Sequence, residues 1–472
     1  MKNFIILVLC FISFQSLSAQ KELFETEMEI LLKDPFFKFS QIAVEVYDLT
    51  SGNVIYRKNE KMLLNPASNM KILTSAAALK FLGGGYQFET KIFHSGEIKD
   101  SVLHGDIYIA GGCDPDFTYY DLDTLLNSLS KNSIKEIRGN LYGDVSMLDS
   151  LFWGSGWMWD DDPGTDFPYL TPLILNDASV RIIVSPGDSG KPANVDVFPK
   201  SEMLSASNNT NTIDVDSGRI SVTRNWIERK NDISILGNVF IQAEPDTFGI
   251  NIFKPELHFL YTAKELISQK NINFTGSIGL HNLDSNSTLL AKIARSYGEV
   301  IINLNKQSDN LSAEMALRAL GSLTSFRSIN AENGIELIDS LITLSFLNPK
   351  DYRLVDGSGV SRYNLVTAEL ICEMLKYIYI EENDLYKILR LSFPLAGVDG
   401  TLKSRMKEGL AYQNVSAKTG TLSGVSALSG YLTSKNEHTI VFSILIQNFV
   451  GSARTARNVQ DKICEILSGM EF

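Results

Sequence analysis

The chain has 472 residues and a mass of 52.4 kDa, room for two or three domains at roughly 100–200 residues each. Its 44% hydrophobic and 21% charged residues are those of a globular protein, and 33 Gly with 13 Pro exclude a collagen-like or Pro/Gly-rich disordered chain. The 43 Lys and Arg against 55 Asp and Glu give a formal charge of −12, which argues against nucleic-acid binding and its clustered basic surface.

Residues 1–19 read as a secretory signal peptide. Lys2 precedes an apolar run from Phe4 to Phe14, broken only by Ser13, and small residues lead to a cut after Ser18 or Ala19. The run falls short of the about 20 residues that a membrane anchor needs, and Leu9 before Cys10 is not the small residue of a lipoprotein site. No later stretch is long and apolar enough for an integral span. The expected mature protein is soluble, exported across the cytoplasmic membrane, and periplasmic where the cell has an outer membrane. Cys113, Cys372 and Cys464 remain after cleavage; they permit one disulfide at most and read as buried unpaired thiols.

Residues 41–57 alternate apolar and polar around Ser51-Gly52-Asn53, a β-hairpin signal. Pro66 then precedes Met70 to Leu79, an Ala-rich apolar stretch that reads as a helix stopped at Gly83-Gly84-Gly85. Residues 93–255 differ in character, with short β-like runs (105–110, 233–242) and a polar segment at 201–218 that reads as loop. At the far end, residues 413–421, 425–433 and 439–449 read as an antiparallel meander, followed by a helix over 452–467. Strands at both ends with helices between predict an α+β domain built from residues 20–92 and 256–472. Residues 93–255 are then an inserted β-rich domain of one or two subdomains.

Five scattered histidines, with no His-Glu-x-x-His, Cys-x-x-Cys or Gly-x-Ser-x-Gly, leave little support for a zinc hydrolase or an α/β-hydrolase. No P-loop or dinucleotide-binding glycine motif follows a strand. What remains is a serine–lysine arrangement. Ser68 and Lys71 stand at i and i+3 on the predicted helix, so a weak hydroxyl nucleophile has a base within reach. The helix start adds a positive dipole and free N–H groups. Ser308-Asp309-Asn310 precedes a helix-like run from Leu311 to Leu320 and reads equally as an N-cap. Lys418-Thr419-Gly420 ends a predicted strand and reads equally as a strand exit. Each is weak alone: Ser-x-x-Lys recurs at Ser18, Ser128 and Ser404, Ser-x-Asn recurs at Ser130, Ser207, Ser328 and Ser434, and Lys-Thr-Gly, which occurs once, has a looser match in His94-Ser95-Gly96.

In this order the three motifs form the signature set of penicillin-binding proteins and serine β-lactamases. The gaps of 240 residues from Ser68 to Ser308 and 110 from Ser308 to Lys418 leave space for the insertion between the first two. The layout resembles the D-alanyl-D-alanine carboxypeptidase/endopeptidase family of low-mass class C penicillin-binding proteins, the penicillin-binding protein 4 type. Further stretches carry the resemblance: Pro66 to Lys71, Gln307 to Glu314, Asp356 to Asn364, Ala396 to Leu402, Gly105-Asp106, Gly111 to Pro115 and Trp153 to Asp161. Cys113 departs from it, standing where a third glycine is usual, and 201–218 does not align. Trp153, Trp157 and Trp159 read as packing of the insertion in preference to a sugar platform, and 356–364 as a glycine-dependent turn bracing the site.

The resemblance implies a penicillin-binding-protein/serine β-lactamase-like fold and hydrolysis of D-Ala-D-Ala stem peptides and cross-links of peptidoglycan through an acyl-enzyme on Ser68. Lys71 is then the base, kept neutral by partial burial and the like charge of Lys418. Ser308 relays a proton to the leaving amine, and Asn310 orients Lys71 and the substrate amide. Lys418, Thr419, Gly420 and Thr421 hold the terminal carboxylate, and the N–H groups of Ser68 and Thr421 form the oxyanion hole. β-Lactams are expected as covalent inhibitors, with no cofactor or metal. The rival readings are a serine β-lactamase, for which no general-base glutamate is evident between the second and third motifs, and an inactive cell-wall-binding homologue.

Overall fold

A computed structural model describes residues 20–472; the signal-peptide reading of residues 1–19 lies outside the described residues. Strands β1 (Gln41–Asp48) and β2 (Asn53–Lys58) form the antiparallel hairpin that the sequence predicts, with Gly52 at φ +75° in its turn. Strands β3 (Ser416–Leu422), β4 (Val425–Thr433) and β5 (Thr439–Gln447) form the predicted meander. All five join one antiparallel sheet of order β3-β4-β5-β1-β2, in which Gln41 lies opposite Gln447. The two ends of the chain therefore share one core.

β4 and β5 are buried along almost their whole length, so they read as continuous apolar runs, because helices cover both sheet faces. Ile42, Val44 and Val46 of β1 point into a core with Phe24 and Met28 from residues 20–31 and Ile463 and Leu467 of α3, the C-terminal helix (Arg454–Gly469). α1 (Met70–Phe81) is buried on every side from Met70 to Leu79, its apolar residues together with Lys71, Thr74 and Ser75. It stops where Gly83 takes φ +77° and its N–H reaches back to Ala78 O. α2 (Asn310–Gly321) packs beside α1 and is likewise buried from Leu311 onward.

Contacts divide the chain into two compact units: one holds the described residues up to 85 together with 301–321 and 331–472, the other 86–300 and 322–330. The second unit extends beyond 93–255, because the strand Thr288–Ser296 pairs with Gln87–His94 and the helix Pro255–Gln269 packs in the same core as Ile92 and Leu126. A separate core gathers Val180, Ile182, Ile233 and Ile235.

The loop expected over 201–218 is corrected: Ser205–Ile213 is a strand, parallel to Asp232–Phe240. Its Ser/Asn/Thr composition hid it from a hydrophobic-pattern reading. Thr210 and Thr212 are buried, and their hydroxyls accept from the N–H groups of Ala193 and Gly187, so these polar side chains are buried with their hydrogen bonds made. Cys113 sits at φ +59°, the conformation that explains why glycine suits this position. Cys113, Cys372 and Cys464 are all buried. Trp153 and Trp157 pack edge to face at 5.4 Å; Trp159 is 72% exposed and lies against Trp226 instead.

Candidate active site

All eight candidate residues belong to the first unit. Ala67–Asn69 form a 3₁₀ turn that feeds into α1, with Ala67 at φ +45°. Asn65 holds this turn: its Oδ1 accepts from Ala67 N at 2.9 Å and its amide donates to Ser361 O at 3.1 Å. Gly359, at φ +85°, passes so close that a Cβ there would lie 1.8 Å from Ala67 O. The 356–364 segment braces the turn that carries Ser68.

Lys71 is fully buried, and its Nζ lies 3.1 Å from Ser68 Oγ, 2.6 Å from Asn310 Oδ1 and 2.7 Å from Ser358 O. Two of these neighbours only accept. A neutral amine can donate its two N–H bonds to Asn310 Oδ1 and Ser358 O, which turns its lone pair toward the Ser68 hydroxyl. That is the geometry of a general base beside a nucleophile.

The second motif does both things its residues suggest. Asp309 is the helix cap, its carboxylate accepting from Ser312 N, while Ser308 takes φ +63° and Asn310 faces Lys71. Ser308 Oγ accepts from Lys418 Nζ at 2.7 Å. Lys418 is fully buried, and burial pushes its pKa well down, as does Lys71 whenever it is protonated. Its Nζ also donates to Thr419 O at 2.9 Å.

β3 is the sheet edge that abuts the nucleophile turn. A Cβ on Gly420 would stand 2.9 Å from Pro66 O and 3.1 Å from Ser68 N, so a bare backbone is required for this approach. The Asn69 amide ties the two together, its nitrogen donating to Lys418 O at 2.9 Å and its oxygen accepting from Ser429 Oγ at 2.7 Å. Thr419 Oγ1 lies 2.7 Å from Thr401 Oγ1, and Thr421 Oγ1 accepts from Arg457 at 3.2 Å.

The other Ser-x-x-Lys matches among the described residues do not build such a site. Ser128, in the second unit, donates to Leu125 O of its own helix, and Ser404 is exposed. The sequence stretches include Asn69, Glu314 and Thr401 without giving them a task, and Arg457 lies outside them. Glu314 Oε1 accepts from Gly357 N at 3.0 Å and Ser358 N at 2.9 Å. Its spacing of four from Asn310 was the available signal, since both then share one face of α2.

A sequence profile described as the D-Ala-D-Ala carboxypeptidase 3 (S13) family matches residues 24–470. A D-alanyl-D-alanine carboxypeptidase of Actinomadura sp. (strain R39) is 28% identical over 458 residues, covering 93% of this chain and 83% of its own. The crystal structure of penicillin-binding protein 4 from Haemophilus influenzae superposes with a TM-score of 0.81 at 24% identity, covering 92% of this chain and 97% of that one. The same protein complexed with a β-lactam gives a TM-score of 0.76 at 23% identity with the same coverage. The α+β architecture is thus that of penicillin-binding protein 4.

Proposed function

The chain belongs to the D-Ala-D-Ala carboxypeptidase 3 (S13) family, and from that premise we propose how its residues carry the reaction. It is a serine D-Ala-D-Ala carboxypeptidase, and we extend the reading to endopeptidase cleavage of peptidoglycan cross-links. Ser68 Oγ attacks the carbonyl of the penultimate D-Ala while its proton passes to Lys71. The C–O bond of the acyl-enzyme forms, the C–N bond breaks, and Ser308 relays the proton, giving its own to the departing amine and taking the one held by Lys71, which is neutral again. Water then attacks the ester with Lys71 as base and frees Ser68. Asn310 and Ser358 O fix the Lys71 amine, and the N–H groups of Ser68 and Thr421 stabilise the oxyanion, one such donor being worth roughly 3–4 kcal/mol. Lys418, Thr419, Gly420 and Thr421 receive the substrate's terminal carboxylate. Among the described residues no helix is long and apolar enough to cross a membrane, and we place the enzyme in the periplasm.

The observation that carries this reading is the position of Lys71 Nζ between Ser68 Oγ, Asn310 Oδ1 and Ser358 O. Intact mass and peptide mapping after exposure to penicillin test it. One adduct on Ser68, with D-Ala released from a pentapeptide and cleavage of cross-linked muropeptide dimers, is expected. An adduct elsewhere, none, or rapid penicillin turnover without D-Ala release overturns it.

A further inference from the structure

Two residues outside the three motifs touch the hydroxyls of the third. Thr419 and Thr421 stand two residues apart on β3 and so point the same way. Each has a partner from a different element: Thr401 Oγ1 lies 2.7 Å from Thr419 Oγ1, and Arg457 Nη2 donates to Thr421 Oγ1 at 3.2 Å.

We propose that Thr401 and Arg457 are positioning residues that set the direction of these two hydroxyls, so that both present O–H to the substrate and the site selects a free carboxylate. The inference rests on the carboxylate-binding role proposed above for the third motif. A guanidinium only donates, so in its pair Thr421 oxygen is the acceptor and the Thr421 proton is directed elsewhere. Between Thr401 and Thr419 one proton lies between the oxygens. A carboxylate accepts and never donates, so with substrate bound Thr419 points its proton outward and Thr401 supplies the one between them. A hydroxyl that accepts one hydrogen bond while donating another is also polarised toward the acceptor.

The surroundings hold Thr401 to this task. It lies in the 3₁₀ turn Gly400–Leu402, where Gly400 takes φ +53° and a Cβ would stand 2.4 Å from Lys306 O. Asp399 accepts from Leu395 N at 2.9 Å and from Lys306 Nζ at 2.5 Å. Ala396 N and Ala417 N exchange bonds with Val415 O and Pro394 O, which ties this segment to β3 itself. On the other side, Arg405 bridges to Asp461 at 2.6 Å and donates to Arg457 O at 3.3 Å, which anchors the start of α3. The guanidinium of Arg457 adds positive charge at the rim, next to the expected carboxylate.

The test compares kcat/KM for a peptide ending in D-Ala-D-Ala with the same peptide ending in a carboxamide. Thr401→Val keeps the shape and removes the donor. It is expected to lower the acid-over-amide preference about tenfold or more, the size of one charge-assisted hydrogen bond. Thr401→Ser restores the preference, and Arg457→Met lowers it, less at high salt because the guanidinium is exposed. A merely structural role slows both peptides equally, and that result, or an unchanged preference, overturns the inference. Penicillin labelling of Ser68 in every variant separates the two readings. Wild type that neither labels nor releases D-Ala removes the functional reading and this inference with it, whereas labelling with an unchanged preference removes only the inference.

Discussion

The carbonyl oxygen of Ser358 accepts from Lys71 Nζ at 2.7 Å, from 287 residues further along the chain. The Ser-x-x-Lys tetrad contains no hint of this partner. Its placement depends on a buried carboxylate: Glu314 Oε1 binds the N–H groups of Gly357 and Ser358, while Glu314 Oε2 accepts from Arg318 Nη1 at 2.9 Å. α2 therefore grips Lys71 twice, directly through Asn310 and at one remove through Glu314. Burial raises the Glu314 pKa, the charge of Asp356 adds to the rise, and Arg318 opposes it.

Glu314→Gln keeps an acceptor for the two N–H groups and leaves Arg318, which is buried, without its counter-charge. Removing one partner of a buried pair costs about 3–5 kcal/mol, to be read by urea unfolding. Displacement of Ser358 O should also slow acylation of Ser68 by between about 10- and 100-fold. A loss of stability under about 1 kcal/mol with full acylation would show that Glu314 is a bystander.

Gly420→Ala places a methyl against the backbone of Pro66 and Ser68. Backbone cannot move aside as a flexible side chain does, so β3 must shift away from the nucleophile turn, at a cost of about 1–3 kcal/mol. The expected outcome is penicillin acylation slowed by at least about tenfold, with a modest fall in melting temperature. Stopped-flow acylation at wild-type speed would contradict the tight approach of strand and turn.

His258 supplies the pH dependence. It is buried in the helix Pro255–Gln269 with no hydrogen-bond partner on either ring nitrogen, and burial lowers its pKa from 6.5 to about 4. The unfolded chain takes up this proton near 6.5 and the folded one only near 4. The His258 contribution is therefore complete above pH 6.5 and is lost as pH falls toward 4, by roughly 3 kcal/mol in all. His258→Leu should flatten the fall in stability over that window, measured by urea unfolding at a series of pH values. An equally steep fall in the variant would assign the acid sensitivity to other groups.

The sequence was most informative where one chemical requirement acts over a short range. Alternation around Gly52 marked the hairpin, Pro66 before an Ala-rich, mostly apolar run marked the helix that carries Lys71, and three short motifs in order pointed to the chemistry. It failed at Ser205–Ile213, where seven of nine strand residues are Ser, Asn or Thr and the buried ones depend on partners more than 15 residues away. The extent of the second unit was equally hidden, because strand pairing across 200 residues leaves no local pattern.

The sequence by itself determined which side chains make up the proposed reaction centre, since a serine, a lysine one helical turn away and two further motifs are choices of side chain. Only the tertiary structure decided what surrounds it: Ser358 O on Lys71, Glu314 behind Ser358, Gly359 and Gly420 against the nucleophile turn, Thr401 on Thr419. The physical reason is that a backbone carbonyl has no identity in a sequence, and a close approach is written in two distant segments at once. Position, not residue type, makes those groups part of the site.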